Sequence, residues 1–310
     1  MVVTVTLNPA IDQTLSVPGF AAGRVNRVME SWSNAGGKGV NVAVCLADLG
    51  VAATATGFLG ADNAALFEST FQRKQIADRF VRIAGDTRVG IKIVDDLNDQ
   101  TTDVNFPGLS PRDEDIKELF ERIAALGTRG GWFVLSGSVP AGAPDSVYAA
   151  MIDLIHGLGG RVVLDTSGAP LREALASRPE VMKPNVDELS ELAGRPLAAL
   201  DDVRAAVEVL LDHGVQRVAV SMGGDGAVFV DRERALLARP PRVAVRSTVG
   251  AGDAMVAGIV YGLVHDLPLA DVARTATACG ACAVTRIGAG IDREEHRQLA
   301  EQVEIETLRH

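Results

Sequence analysis

Five short segments of this 310-residue chain carry residue types that could do chemistry together. In Ser247-Thr248-Val249-Gly250-Ala251-Gly252-Asp253-Ala254-Met255, the glycines let backbone N–H groups approach an anion, and the apolar helical pattern that follows adds a positive helix end. Asp253 falls in the first helical turn, so its carboxylate is aimed where those N–H groups point. A base beside an anion hole is what phosphoryl transfer to a hydroxyl requires. The plainer reading is an acid that complements the helix dipole.

The second segment, Asn34-Ala35-Gly36-Gly37-Lys38-Gly39-Val40-Asn41-Val42-Ala43, also opens a helix from a glycine turn, but with neither GxxxxGK[ST] nor GxGxxG spacing. Lys38 sets a point charge among exposed amides, which suits a phosphate ester, and Asn41 could read a sugar hydroxyl. A tight turn with a solvated lysine is the alternative. In Asn8-Pro9-Ala10-Ile11-Asp12, Asp12 lies just past the first strand-like run, where parallel sheets bind ligands, and is a candidate acceptor for hydroxyls or an Asx turn. Lys183-Pro184-Asn185-Val186-Asp187-Glu188 has capping-box spacing between Asn185 and Glu188; read functionally, the two face nucleotide phosphates and hold magnesium through water. Ser221-Met222-Gly223-Gly224-Asp225-Gly226 is a glycine turn between two strands, or a simple hairpin.

These residues need a scaffold. Apolar β-branched runs at 2–7, 51–58, 132–135, 161–164, 217–220 and 227–230 alternate with helix-like stretches at 39–49, 63–74, 111–126, 144–158, 201–213, 251–264, 269–285 and 293–307. Such alternation predicts βαβ units around a parallel sheet, with Val243–Arg246 a further strand-like run. Residues 78–106 break the rhythm with short strands and polar turns, and 14–17 with 24–30 add another β-like piece. Together, about 14–30 and 78–106 are expected to form a β lid that excludes water from a cleft; an edge extension without function is the alternative. No repeat or long linker divides the chain, so one domain spanning 1–310 is expected.

Forty acidic against thirty basic residues give a net charge of −10, which argues against nucleic acid or an anionic membrane as partner. With 47% apolar residues the chain can build a core. Only five lysines occur, and Lys38 and Lys183 sit in the segments above. Cys45, Cys279 and Cys282 form no disulfide framework and are expected to be buried structural thiols. With no basic leader and no long apolar run, a cytoplasmic location is expected.

Taken in order, TLNPAID (6–12), AGGKGVNVA (35–43), TR (87–88), SGSVP (136–140), KPNVDEL (183–189), SMGGDGA (221–227) and STVGAGDAMVAG (247–258) resemble the PfkB, or ribokinase-like, carbohydrate kinase family. The resemblance implies a three-layer αβα body with a mostly parallel central sheet and a small β-sheet lid. It also implies ATP-dependent phosphorylation of a sugar that already carries a phosphate. Carried over by position, Asp253 would be the general base, with Gly250, Ala251 and Gly252 around the γ-phosphate. Asp12, Gly37, Asn41 and Ser136 would face the sugar, while Lys38 and Arg88 would hold its phosphate. Lys183, Asn185, Ser221, Gly223 and Gly226 would line the nucleotide site, and Glu188 would act through Mg²⁺. Within the family, lysine at 38 resembles the pattern of kinases acting on fructose 1-phosphate or tagatose 6-phosphate rather than fructose 6-phosphate, and Thr102-Asp103-Val104-Asn105-Phe106 resembles the fructose 1-phosphate wording more than the tagatose one, so the resemblance implies fructose 1-phosphate. Gly90 departs from the Asn of relatives, which puts substrate identity in question more than reaction type. A sensor that kept the fold without catalysis would have no need of Asp253. Family relatives often pair through their lids, which allows a homodimer without fixing the oligomeric state; a monovalent cation near Ser247 and Val249 is left open.

Overall fold

The computed structural model describes residues 1–308. The chain begins with β1 (Val2–Thr6), β2 (Ala10–Ser16), β3 (Glu30–Gly36), α1 (Lys38–Asp48), β4 (Ala53–Gly60), α2 (Ala65–Lys74), β5 (Ala77–Asp78) and β6 (Val81–Ile83). Next come β7 (Val89–Asp95), β8 (Gln100–Asn105), α3 (Asp113–Leu126), β9 (Trp132–Ser136), α4 (Val147–Gly157), β10 (Arg161–Asp165) and α5 (Gly168–Leu175). The chain continues through β11 (Val181–Met182), α6 (Val186–Ala193), α7 (Leu200–Asp212), β12 (Arg217–Ser221), β13 (Ala227–Asp231) and β14 (Ala235–Arg239). It closes with α8 (Ala251–Val264), α9 (Leu269–Val284), α10 (Arg293–Gln302) and β15 (Glu304–Leu308).

The large sheet runs β15-β14-β13-β12-β11-β10-β9-β1-β4-β5, with β6 also beside β4. Pairing is parallel from β5 to β12 and antiparallel from β12 to β15. Every residue of β1 and β9 is buried, as expected of parallel strands covered on both faces. One apolar core, with Val40, Phe67, Val256 and Ala276, lies under α1, α2, α8 and α9; the other, with Leu119, Tyr148 and Val207, lies under α3, α4 and α7. The three layers predicted are therefore present. Cys45, Cys279 and Cys282 are free and buried in the first core.

A second sheet, β3-β2-β7-β8, forms the lid, with shifted bounds. Its strands start at Ala10 and Glu30 rather than 14 and 24, and residues 24–29 contain no strand. Residues 77–83 belong to the large sheet, because β5 and β6 find parallel partners on β4. Two other expectations change. The last helix ends at Gln302, and β15 follows, since Ile305 and Thr307 are β-branched and the edge of β14 offers backbone partners. Val243–Arg246 is not a strand: Pro240 and Pro241 lack N–H donors, and the segment is tethered where the Arg246 N–H donates to the Val284 carbonyl. Among the described residues no helix is long and apolar enough to cross a membrane.

Candidate active site

The carboxyl ends of the parallel strands open on one cleft of about 950 Å³, where such sheets bind ligands. β1 leads into Asn8, β9 into Gly137 and Ser138, β10 ends at Asp165, β11 runs into Lys183, and β12 ends at Ser221; all of these line the cleft. Of the residues expected from sequence, Asp12, Gly37, Lys38, Asn41, Arg88, Lys183, Asn185, Glu188, Ser221, Gly223, Gly226, Gly250, Ala251, Gly252 and Asp253 also line it. Ser136 does not. It is 0% exposed at the end of β9, its Oγ without a partner, and Ser138 reaches the cleft wall instead, accepting from Asn8 Nδ2 over 3.0 Å.

Two helix starts converge here. Gly37 precedes α1 at φ 108°, and a Cβ there would stand 2.9 Å from both Pro9 Cα and Thr6 Cγ2. Gly250 precedes α8 at φ 81° in the left-handed region. Glycine provides no capping side chain, so neither helix start is capped by one, and apart from the Ala251 N–H, which donates over 3.4 Å to the Thr248 carbonyl, first-turn N–H groups are left for a ligand. The two first turns are joined, since Asn41 Nδ2 donates to Asp253 Oδ2 over 2.8 Å.

Asp253 is 7% exposed, and burial, with the nearby Asp165 carboxylate adding to it, raises its pKa to about 6 against the pull of Asn41, Lys38 and Lys183. The carboxyl is thus basic enough to take a proton near neutrality. Asp165 is the hub of the charges. Its Oδ1 lies 3.3 Å from Lys183 Nζ and 3.4 Å from Lys38 Nζ. Burial works to raise its pKa, yet Lys183 and Lys38 hold the carboxyl below its ordinary value. Burial likewise pulls Lys38 down, but the Asp165, Asp253 and Glu188 carboxylates outweigh it and keep the ammonium charged. On the lid side, burial pushes Asp12 up to about 6, with Arg88 and Lys92 opposing.

The capping box is formed: Asn185 N–H donates to Glu188 Oε2 over 2.9 Å, and Glu188 N–H donates to Asn185 Oδ1 over 2.7 Å. Both residues nonetheless border the cleft, so the cap leaves them beside any ligand bound there. No cluster of three metal-ligating side chains occurs among the described residues. The donors present fit Mg²⁺ held largely by water and phosphate: Asp165 Oδ2 is buried without a partner, and the cap engages one Glu188 oxygen.

Sequence reading missed Asp165, which directly follows the strand-like run 161–164, and also Asn8, Ser138 and an apolar wall that includes Pro240, Val243, Ala281 and Val284. A strand-end acid next to a predicted parallel strand was the available signal for Asp165.

Residues 2–296 match the pfkB family carbohydrate kinases. The chain is 47% identical over 309 residues to 1-phosphofructokinase of Rhodobacter capsulatus, covering 99% of this chain and 98% of that one. It is 46% identical over 285 residues to 1-phosphofructokinase of Xanthomonas campestris, covering 90% of each. Phosphofructokinase-2 from Escherichia coli, solved in complex with potassium, superposes with a TM-score of 0.92 at 30% identity, covering 97% of this chain and 98% of that one. The glycine-led helix starts, the acid in the first turn of α8 and the three-layer body with its lid thus agree with the full-length match, and the chain belongs to the pfkB family of carbohydrate kinases, with a ribokinase-like fold.

Proposed function

We propose that this enzyme transfers the γ-phosphoryl group of ATP to the 6-hydroxyl of D-fructose 1-phosphate, giving fructose 1,6-bisphosphate and ADP. The observation that carries the reading is the buried Asp253 carboxylate, held by Asn41 where two uncapped helix starts meet. Asp253 takes the hydroxyl proton as the oxygen attacks phosphorus in line, while the N–H groups at 250–252 receive the charge of the transferring group. Lys38 and Arg88 hold the phosphate already on the sugar, and Asp12 accepts from its hydroxyls. The nucleotide lies along Lys183, Asn185, Ser221, Gly223 and Gly226, with its base against the apolar wall. Glu188, through water, and Asp165 beside it would hold Mg²⁺, which would supply neutralisation of the phosphate charge.

The assignment of fructose 1-phosphate draws support from the names of the Rhodobacter and Xanthomonas relatives. The potassium in the Escherichia coli relative supports a monovalent cation beside Ser247 and Val249. We extend the proposal to a cytoplasmic enzyme whose whole chain works as one kinase unit, pairing through the lid, where Met29, Trp32 and Phe106 are exposed. ADP release would be measured with fructose 1-phosphate, fructose 6-phosphate, tagatose 6-phosphate and fructose. The expected order puts fructose 1-phosphate first in kcat/KM and fructose last; a preference for either 6-phosphate overturns the substrate assignment. ADP release from none of them would overturn the kinase reading and favour a sensor.

A further inference from the structure

Three positions of the lid stand side by side across neighbouring strands. Asp12 of β2 pairs in register with Gly90 of β7, and Gly90 pairs with Asn105 of β8. Residues directly paired across strands present the same face, and all three border the cavity of about 930 Å³ between lid and body. Position 90 has no side chain. A Cβ there would lie 3.4 Å from Asp12 Oδ1 and 3.3 Å from Asn105 Oδ1, so the two polar groups approach each other over a bare backbone. On the other flank a Cβ at Gly36 would overlap the Asp12 carboxylate, so glycines clear the space on both sides of Asp12.

A carboxylate can only accept, whereas an amide both donates and accepts, whichever way it is turned. The pair therefore complements neighbouring hydroxyls, each of which needs one partner of either kind. Because both oxygens lie within 3.4 Å of one point above Gly90, a hydroxyl seated there, or two on adjacent carbons, comes within hydrogen-bond reach of both groups. We propose that Asn105 is a second sugar-reading side chain, acting with Asp12 on ring hydroxyls of a ketohexose phosphate, and that the bare Gly90 is the seat on which the ring rests. This rests on the kinase reading above.

The test is the KM for fructose 1-phosphate and for ATP in Asn105→Ala and Gly90→Val, the latter a side chain that suits a strand but fills the seat. Asn105→Ala is expected to raise the sugar-phosphate KM about five- to tenfold, the size of one lost hydrogen bond, while the ATP KM holds. Gly90→Val should raise it at least as much. With 3-deoxy and 4-deoxy fructose 1-phosphate, one analogue should bind Asn105→Ala and the parent enzyme alike, because the contact is already missing. An unchanged sugar KM in Asn105→Ala, or the same fold loss with every analogue, overturns the proposal. The parent enzyme is the control: if it turns over no ketohexose phosphate, the kinase reading is what has failed.

Discussion

Asn41 Nδ2 stands 2.8 Å from Asp253 Oδ2, and this one contact links the first turn of α1 to the first turn of α8. Asn41 is itself buried, so the amide holds the carboxylate in a single orientation with little competition from water. The consequence is chemical as well as geometric. A donated hydrogen bond favours the ionised acid, while burial and Asp165 disfavour it, and the balance leaves Asp253 titrating at about 6.

Asp253→Asn should cut kcat by about 10²- to 10⁴-fold, the usual contribution of a positioned base, while sugar-phosphate binding persists by calorimetry. Near-normal turnover would remove the base assignment. The same variant has a stability signature. A carboxyl at about 6 in the folded chain and 3.8 when unfolded binds more protons folded, so stability falls as pH rises through that window. Above it the full penalty applies, on the order of 2–3 kcal/mol for a shift of this size. Asp253→Asn is therefore expected to be more stable than the parent in urea at pH 7, with the difference fading below about pH 4.

Asn41→Ala removes the donor that holds Asp253 down, so the acid limb of kcat/KM should move to higher pH. Activity at pH 6 should fall by a larger factor than activity at pH 8. A uniform loss across the profile would mean that Asn41 contributes only contacts to the substrate.

How legible these parts are in the sequence depends on how local their signal is. Gly250 and Asp253, or Gly37 and Asn41, declare themselves because a turn and a first helical turn lie within a few residues. Asp165 has no such neighbourhood. Its meaning comes from Lys38 and Lys183, which are far from it in sequence and reach it only once β10 and β11 pair and α1 starts beside them. Ser136 and Ser138 differ by two residues, and the turn at Gly137 decides which one faces the cleft. The lid is legible as a break in the βαβ rhythm, and β7 and β8 fall inside the expected 78–106, yet β2 and β3 were misplaced. β3 reads Glu30-Ser31-Trp32-Ser33-Asn34, mostly exposed and polar, and carries almost no hydrophobic alternation. β15 escaped for another reason: its partner is β14, itself absent from the strand-like runs.

The body that carries Asp253 depends on a close helix contact. A Cβ at Gly258 would stand 2.6 Å from Ala276 Cα and 3.0 Å from Cys279 Sγ, so α8 and α9 touch through bare backbone. Alanine normally stabilises a helix interior over glycine by about 1 kcal/mol. Gly258→Ala should reverse that sign and destabilise by about 1–3 kcal/mol through overpacking, read as a lower urea midpoint at unchanged slope. A rise in the midpoint would show that the two helices can part without cost.

Asp165 should be the costliest charge to remove. It is 1% exposed, and Lys183, 4% exposed, faces it at 3.3 Å. Asp165→Ala strands a buried ammonium, for which a loss of about 3–5 kcal/mol is expected. Converting Lys183 to Met in the same chain removes the stranded charge, so the double variant should recover much of the stability in urea. Lys38 is half-open to the cleft and can turn to water, which is why Lys38→Met in place of Lys183→Met should recover less. Equal recovery by the two lysine variants would place the energetic weight of Asp165 on both bridges alike, and no recovery by either would mean that Asp165 stabilises the chain through something other than its lysines.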